Sequence, residues 1–185
     1  RVIDRPGVRI PNPSADEIKS IGPYHAHFKV ITNFTGDPAL TAMAAKMSSG
    51  LPNLTNIQGV VDHRDTLRKT GAEMGDLMRA MNDKYAATQK ERDALKQPDD
   101  LKPVYDKAFD KTVTAPVNGF REAVPIAQAI LEAVGKLSDY VVSHKDAVRI
   151  TGGQLQPTSA RAQAELTPLV NAITVQGAKF NEAQR

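Results

Sequence analysis

Cysteine and tryptophan are both absent from the 185 residues, and only four tyrosines and five phenylalanines are present. Without cysteine there is no disulfide, no thiolate–zinc or iron–sulfur site and no thiol nucleophile. No apolar stretch reaches the roughly 18 residues that a membrane-spanning helix needs. A large charge of one sign is also lacking: 24 Lys and Arg stand against 21 Asp and Glu, for a formal net charge of +3. The signs are interspersed along the chain. The densest basic run, His63-Arg64-Asp65-Thr66-Leu67-Arg68-Lys69, is itself interrupted by an acid. Phosphate-backbone binding needs a continuous basic stripe, so a nucleic-acid partner is not expected and a solvated helix face is. Hydrophobic residues make up 41% and charged residues 24%. Those shares are close to the globular average, which excludes a wholly disordered, collagen-like or low-complexity chain.

Helical signals dominate what is there. Residues 1–13 hold three prolines (Pro6, Pro11, Pro13) and Gly7, and they read as an extended segment ahead of a single helical domain over 14–185. Ser14-Ala15-Asp16-Glu17 has capping-box spacing, and Gly22-Pro23 interrupts the short helix that follows. Tyr24, His27, Phe28, Ile31 and Phe34 recur by threes and fours on a second helix that Gly36 stops. Asp37-Pro38 then restarts a helix as cap and first position, with Leu40, Met43, Ala44 and Met47 on one side and Gly50 at its end.

The strongest pattern comes next. Val60, Leu67, Met74, Met81, Thr88 and Leu95 are spaced by seven, with His63 or Arg64, Thr70, Leu77, Lys84 and Glu91 at the companion position. This predicts one heptad-patterned helix over about 62–97, with Gly71 and Gly75 allowing a partner helix close approach. The stripe turns polar toward its end, so that end is expected to protrude into solvent. Gln97-Pro98-Asp99-Asp100 reads as a turn with an Asp capping the next helix, which runs from Leu101 to Ala115. Leu101, Val104, Tyr105, Ala108, Phe109 and Val113 are expected to face inward. Pro116 is expected to begin another helix carrying Phe120, Val124, Ala127, Leu131, Val134, Leu137 and Val141, kinked at Pro125. Val148-Arg149-Ile150 and Gln154-Leu155-Gln156 flank Thr151-Gly152-Gly153 as a small hairpin near 148–156. Pro157-Thr158-Ser159 then caps a last helix with Leu166, Leu169, Val170, Ile173 and Phe180. The expected fold is all-α: an antiparallel helical bundle with one long helix and one hairpin.

Chemistry is sparse. His25 and His27 point about 200° apart on a helix, and His63 and His144 are isolated, so no metal set is predicted. Met43 with Met47, and Met74 with Met78 and Met81, have spacing that could hold monovalent copper, but core filling explains them better. Asp99-Asp100 reads as a helix-start pair, and Gly152-Gly153 lacks the third glycine and following helix of a nucleotide loop. Asn33-Phe34-Thr35 and Asn53-Leu54-Thr55 match the short glycan-acceptor pattern. No nucleophile elbow and no Ser-x-x-Lys occur. No catalytic, cofactor-binding or metal-ligating residue is assigned, and no enzyme is expected.

Over residues 94–116, Ala-Leu-Lys-Gln-Pro-Asp-Asp-Leu-Lys-Pro-Val-Tyr-Asp-Lys-Ala-Phe-Asp-Lys-Thr-Val-Thr-Ala-Pro, the chain resembles a family of uncharacterised bacterial cell-envelope lipoproteins, a domain of unknown function. Ser14-Ala15-Asp16-Glu17 with Ile21-Gly22-Pro23-Tyr24, and Gln156-Pro157-Thr158-Ser159, extend the likeness. The resemblance implies a lipid anchor upstream of Arg1 and a folded part facing the periplasm. It assigns no catalytic residue. The function expected is a structural or protein-interaction component of the envelope, with a protein partner or a second copy met through the long helix. The alternative is a carrier of a small apolar ligand or a soft metal within the bundle.

Overall fold

The computed structural model describes residues 24–42, 45 and 56–183. The Pro-rich start, the capping box, Gly22-Pro23, the Met43–Met47 side and the Gly50 stop lie outside them. The described chain is all-α, a helical bundle with one two-stranded hairpin. Its helices are α1 (His25–Thr35), α2 (Ile57–Asp62), α3 (Arg64–Ala94), α4 (Lys102–Phe109), α5 (Ala115–Ser143) and α6 (Ala160–Ala183), with β1 (Val148–Thr151) and β2 (Gln154–Pro157) between the last two. The chain divides into two compact units, one of residues 1–41 and 80–119, the other of 42–79 and 120–185.

In the first unit, α1 ends at Gly36, whose N–H bonds back to Thr32 O at 2.9 Å. Asp37 then accepts from the N–H groups of Ala39 and Leu40, both at 3.0 Å, and residues 38–42 are helical as its capping role predicts. Its other carboxylate oxygen meets Lys84 Nζ at 3.1 Å. Val30, Ile31 and Phe34 of α1 pack with Tyr105, Phe109, Val113 and Val117 as the core, flanked by Met81 and Tyr85 of α3 and by Leu95 just beyond it.

The polar end of the heptad stripe is therefore covered, contrary to the expectation that it protrudes. Thr88 is only 2% exposed. Its hydroxyl donates to Lys84 O at 2.8 Å, so a buried threonine leaves no orphaned donor. Lys84 at the companion position is held by Asp37, and Glu91 is exposed.

Three further expectations are corrected here. The turn after Pro98 closes through Leu101 and Lys102 N–H groups on Pro98 O, and Leu101 takes the cap position without a side-chain bond, so neither Asp99 nor Asp100 caps α4. Val104, expected inward, is 58% exposed. Pro116 starts no new helix: α4 passes through a π-helical stretch, Asp110–Thr114, directly into α5. The wider turn admits Pro116 without a break, and Thr112 Oγ1 donates to Ala108 O at 2.6 Å within it.

The helix expected over about 62–97 is α3, Arg64–Ala94, and Val60 of the stripe lies on the short α2 ahead of it. Asn56 caps α2 by accepting from Gly59 N–H at 2.7 Å, and His63, at φ −110° and ψ 18°, turns the backbone off the helical path before α3. From Arg64 the heptad holds. Val60, Leu67 and Met74 pack with Val124, Leu131 and Val134 of α5. Leu137 and Val141 continue that face against Val148 and Leu166. α5 runs through Pro125 as well.

The hairpin pairs Val148 with Pro157 and Thr151 with Gln154. Its two-residue turn needs positive φ at both positions, and Gly152 (60°) and Gly153 (77°) supply it. Ser159 Oγ then accepts from Ala162 N–H at 3.1 Å and starts α6. Ser159→Ala is expected to lower stability by about 1 kcal/mol, measured by urea denaturation.

Candidate functional site

A set of partly buried polar side chains lies in the first unit, on α3 and α4 either side of the Pro98 turn. Arg92 lays its guanidinium over the Phe109 ring, 4.5 Å from the centroid. The same group donates to Asp106 Oδ1 at 2.6 Å, while Lys102 Nζ reaches Asp106 Oδ2, also at 2.6 Å. Each carboxylate oxygen thus faces one cation. The Lys102 bond first and the Arg92 bond second hold the Asp106 carboxyl below its ordinary value of 3.8. A carboxylate lowered on folding adds stability above the unfolded value and loses it as pH falls through the folded one. Asp106→Asn is therefore expected to lose less stability than the parent chain between pH 5 and pH 3, read from urea midpoints across about that range.

Beside this pair, the His27 ring meets Tyr105 edge-on at 5.1 Å. Both are buried, and neither the His27 ring nitrogens nor the Tyr105 hydroxyl has a hydrogen-bond partner among the described residues. Burial raises the Tyr105 pKa. An unpaired buried hydroxyl costs about 1–3 kcal/mol, so Tyr105→Phe is expected to raise stability by about 1 kcal/mol in thermal melts. Further along, Gln89 donates to the Tyr85 hydroxyl, which lies 3.4 Å from Thr114 Oγ1 in the π-helical stretch. These groups brace helices. Asp106 has both oxygens engaged.

In the second unit a cleft of about 390 Å³ separates α3 from α5, floored by Gly71, Leu131 and Gly135. A methyl at Gly71 would sit 3.6 Å from Leu131 Cδ1, an ordinary contact, and Gln128 Nε2 donates to Gly71 O at 2.9 Å. Its charged walls are matched: Arg68 pairs with Asp139, and Lys136 with Glu132 at 2.7 Å. At the far end of α5, Tyr140 donates to Glu165 at 2.7 Å, and Arg161 holds the other Glu165 oxygen at 2.9 Å.

The residues singled out in the sequence do not converge. His25 and His63 are exposed, and His144 stacks on Tyr140 at 4.2 Å. Among the described residues no three His, Cys, Asp or Glu side chains could share a metal ion. Met74 and Met78 pack in the second unit's core and Met81 in the first unit's, so the three same-face methionines fill different cores. Arg68 of the basic run is spent on Asp139 and Asp65. Phe34, inside Asn33-Phe34-Thr35, is a core residue, and Asn53-Leu54-Thr55 lies outside the described residues. The Arg92–Asp106 pair was missed, although a signal existed. A tight turn at Pro98–Asp100 makes residues equally far from Asp99 face each other, and 92 and 106 are each seven away.

The fold and these clusters define an all-α bundle protein whose polar side chains tie helix to helix, and no described helix is long and apolar enough to cross a membrane. The chain belongs to the family described as "Protein of unknown function (DUF3053)", whose model matches residues 1–185. It is similar to the "Uncharacterized protein YiaF" of Escherichia coli strain K12, with 28% identity over 187 residues, 97% of this chain and 77% of the relative. The YiaF proteins of Escherichia coli O157:H7 and Shigella flexneri match to the same extent. No solved structure matches the chain.

Proposed function

We propose that the protein is a non-enzymatic, lipid-anchored helical component of the bacterial envelope, facing the periplasm, that works by contacting another protein. The observation that carries the non-enzymatic part is the mutual saturation of its charged clusters. Asp106 is held by Arg92 and Lys102, Glu132 by Lys136, and Glu165 by Arg161 and Tyr140. Side chains already neutralised in pairs are poor general acids and bases, and they suit a rigid scaffold. The tether and compartment rest on the likeness of residues 94–116 to envelope lipoproteins. No described feature favours the carrier reading, since Met74, Met78 and Met81 are occupied in packing.

Metabolic labelling of the full-length gene product with an alkyne fatty acid, followed by cell fractionation, tests the tether. Label on a membrane-associated, protease-accessible periplasmic product is expected. An unlabelled cytosolic pool would overturn it. For the contact, a photo-crosslinking residue at the exposed positions Ala72, Asp83 or Ala87 of α3 is expected to give a discrete adduct in cells. Absence of any adduct at all three would refute contact through that helix.

A further inference from the structure

Four polar residues are buried among the described residues, and three of them keep a hydrogen bond there. Thr70, Thr88 and Ser138 donate to the carbonyls of Thr66, Lys84 and Val134 at 2.9, 2.8 and 2.9 Å, one turn back on their own helices. His27 is the exception. At 6% exposure it stands on the inner stripe of α1 with Val30, Ile31 and Phe34, and neither ring nitrogen has a partner. A neutral imidazole carries one donor and one acceptor, so docking α1 strips water from both and replaces neither bond. Across the interface the Tyr105 hydroxyl suffers the same loss. The two rings meet edge-on at 5.1 Å, a contact that favours their carbon faces and satisfies none of these atoms.

α1 is also fastened at one end and loose at the other. At its C-terminal end Gly36 N–H bonds to Thr32 O at 2.9 Å, Phe34 meets Tyr85 edge-on at 6.4 Å, and Asp37 holds Lys84 Nζ of α3 at 3.1 Å. The N-terminal end has no such hold. Tyr24 takes the cap position without a side-chain bond, the first turn carries no acid to meet the helix dipole, and the first buried residue is His27. Beneath α1 lies the apolar surface of Tyr105, Phe109, Val113 and Val117. A helix of 11 residues does not persist alone in water, so α1 melts whenever it leaves that surface.

We propose that α1 is a releasable cover. It opens from its His27 end about the Gly36–Asp37 corner while the rest of the first unit stays folded. The groove of Tyr105, Phe109, Val113 and Val117 that it fills is then bared. Release returns the His27 nitrogens and the Tyr105 hydroxyl to water, which offsets part of the apolar surface exposed. The histidine thus sets how readily the cover lifts. The inference is independent of the tether, the compartment and any contact through α3.

Native-state hydrogen exchange of the full chain, followed amide by amide, tests it. The Val30, Ile31 and Phe34 amides are expected to share one opening and to exchange at least about tenfold faster than the Tyr85 and Thr88 amides of α3. His27→Leu removes both orphaned nitrogens and is expected to slow the α1 amides about tenfold, and Tyr105→Phe about fivefold. His25→Leu makes the same replacement on the exposed face of α1, controls for helix propensity, and is expected to change them less than about twofold. Since the chain has no cysteine, Val113→Cys adds a second readout: its thiol is expected to be alkylated with the opening constant of α1. Tyr105→Phe removes one oxygen and keeps the ring, so it carries the test should His27→Leu not fold. Exchange of α1 in step with Tyr85 and Thr88, no slowing in the folded variants, or a Val113→Cys thiol that reacts only on global unfolding would each overturn the proposal. Failure of the fatty-acid labelling or of the crosslinking would leave this result standing.

Discussion

Phe109→Ala is expected to cost about 3–5 kcal/mol and to melt the first unit well before any surface variant does. The Phe109 ring is fully buried, in contact with α1 and α4 residues of the same core, and it carries the Arg92 guanidinium on its face. Truncation removes the ring's burial, opens a cavity among Ile31, Tyr105 and Val113, and takes away the cation's aromatic platform. Differential scanning calorimetry of the variant reads the loss. Val104→Ala, one residue before the ring's partner Tyr105, serves as the control because Val104 lies on the solvent side. It is expected to stay within about 0.5 kcal/mol of the parent chain. A loss under about 1 kcal/mol for Phe109→Ala would mean that the first unit's core is not built around this ring.

Leu67→Ala is expected to cost about 2–5 kcal/mol by acting on the second unit. Leu67 is 1% exposed and sits among Val60, Met74, Val124, Leu131 and Val134. Those side chains come from α2, α3 and α5, so the cavity opens where three helices meet and collapse is opposed by each. Chemical denaturation followed by circular dichroism measures the loss. Arg68→Ala, one residue on, separates core packing from surface pairing. Its side chain is about half exposed, and its ion pair with Asp139 contributes at most about 1 kcal/mol. The ratio of the two effects checks that the heptad face, and not the charged flank, holds α3 to α5.

The polar sites were less legible than the helices. Arg92, Asp106 and Tyr105 each look ordinary in sequence, because a salt bridge between α3 and α4 is set by how two helices fold back around a turn. His27 stood on an apolar stripe with Ile31 and Phe34, and that stripe does predict its burial. The edge-on partner Tyr105 lies nearly eighty residues away and is not predicted by any local spacing. The hairpin shows the opposite mix. Gly152-Gly153 announces the hairpin turn. The groove beside Ile150 exists only because α2 and the end of α5 come together there.

What the sequence by itself determined was local. It set where helices begin and end at Gly36, Asp37, Pro98 and Ser159, the hairpin turn at Gly152-Gly153, and the seven-residue stripe from Val60 to Leu95. Each depends on backbone torsions and hydrogen bonds within a few residues, so near neighbours suffice to specify it. Tertiary structure alone decided which faces are covered. Thr88 is buried and Val104 exposed, which no local spacing decides. A threonine can enter a core once its hydroxyl bonds back to its own helix, whereas a valine left uncovered has no means of burying itself.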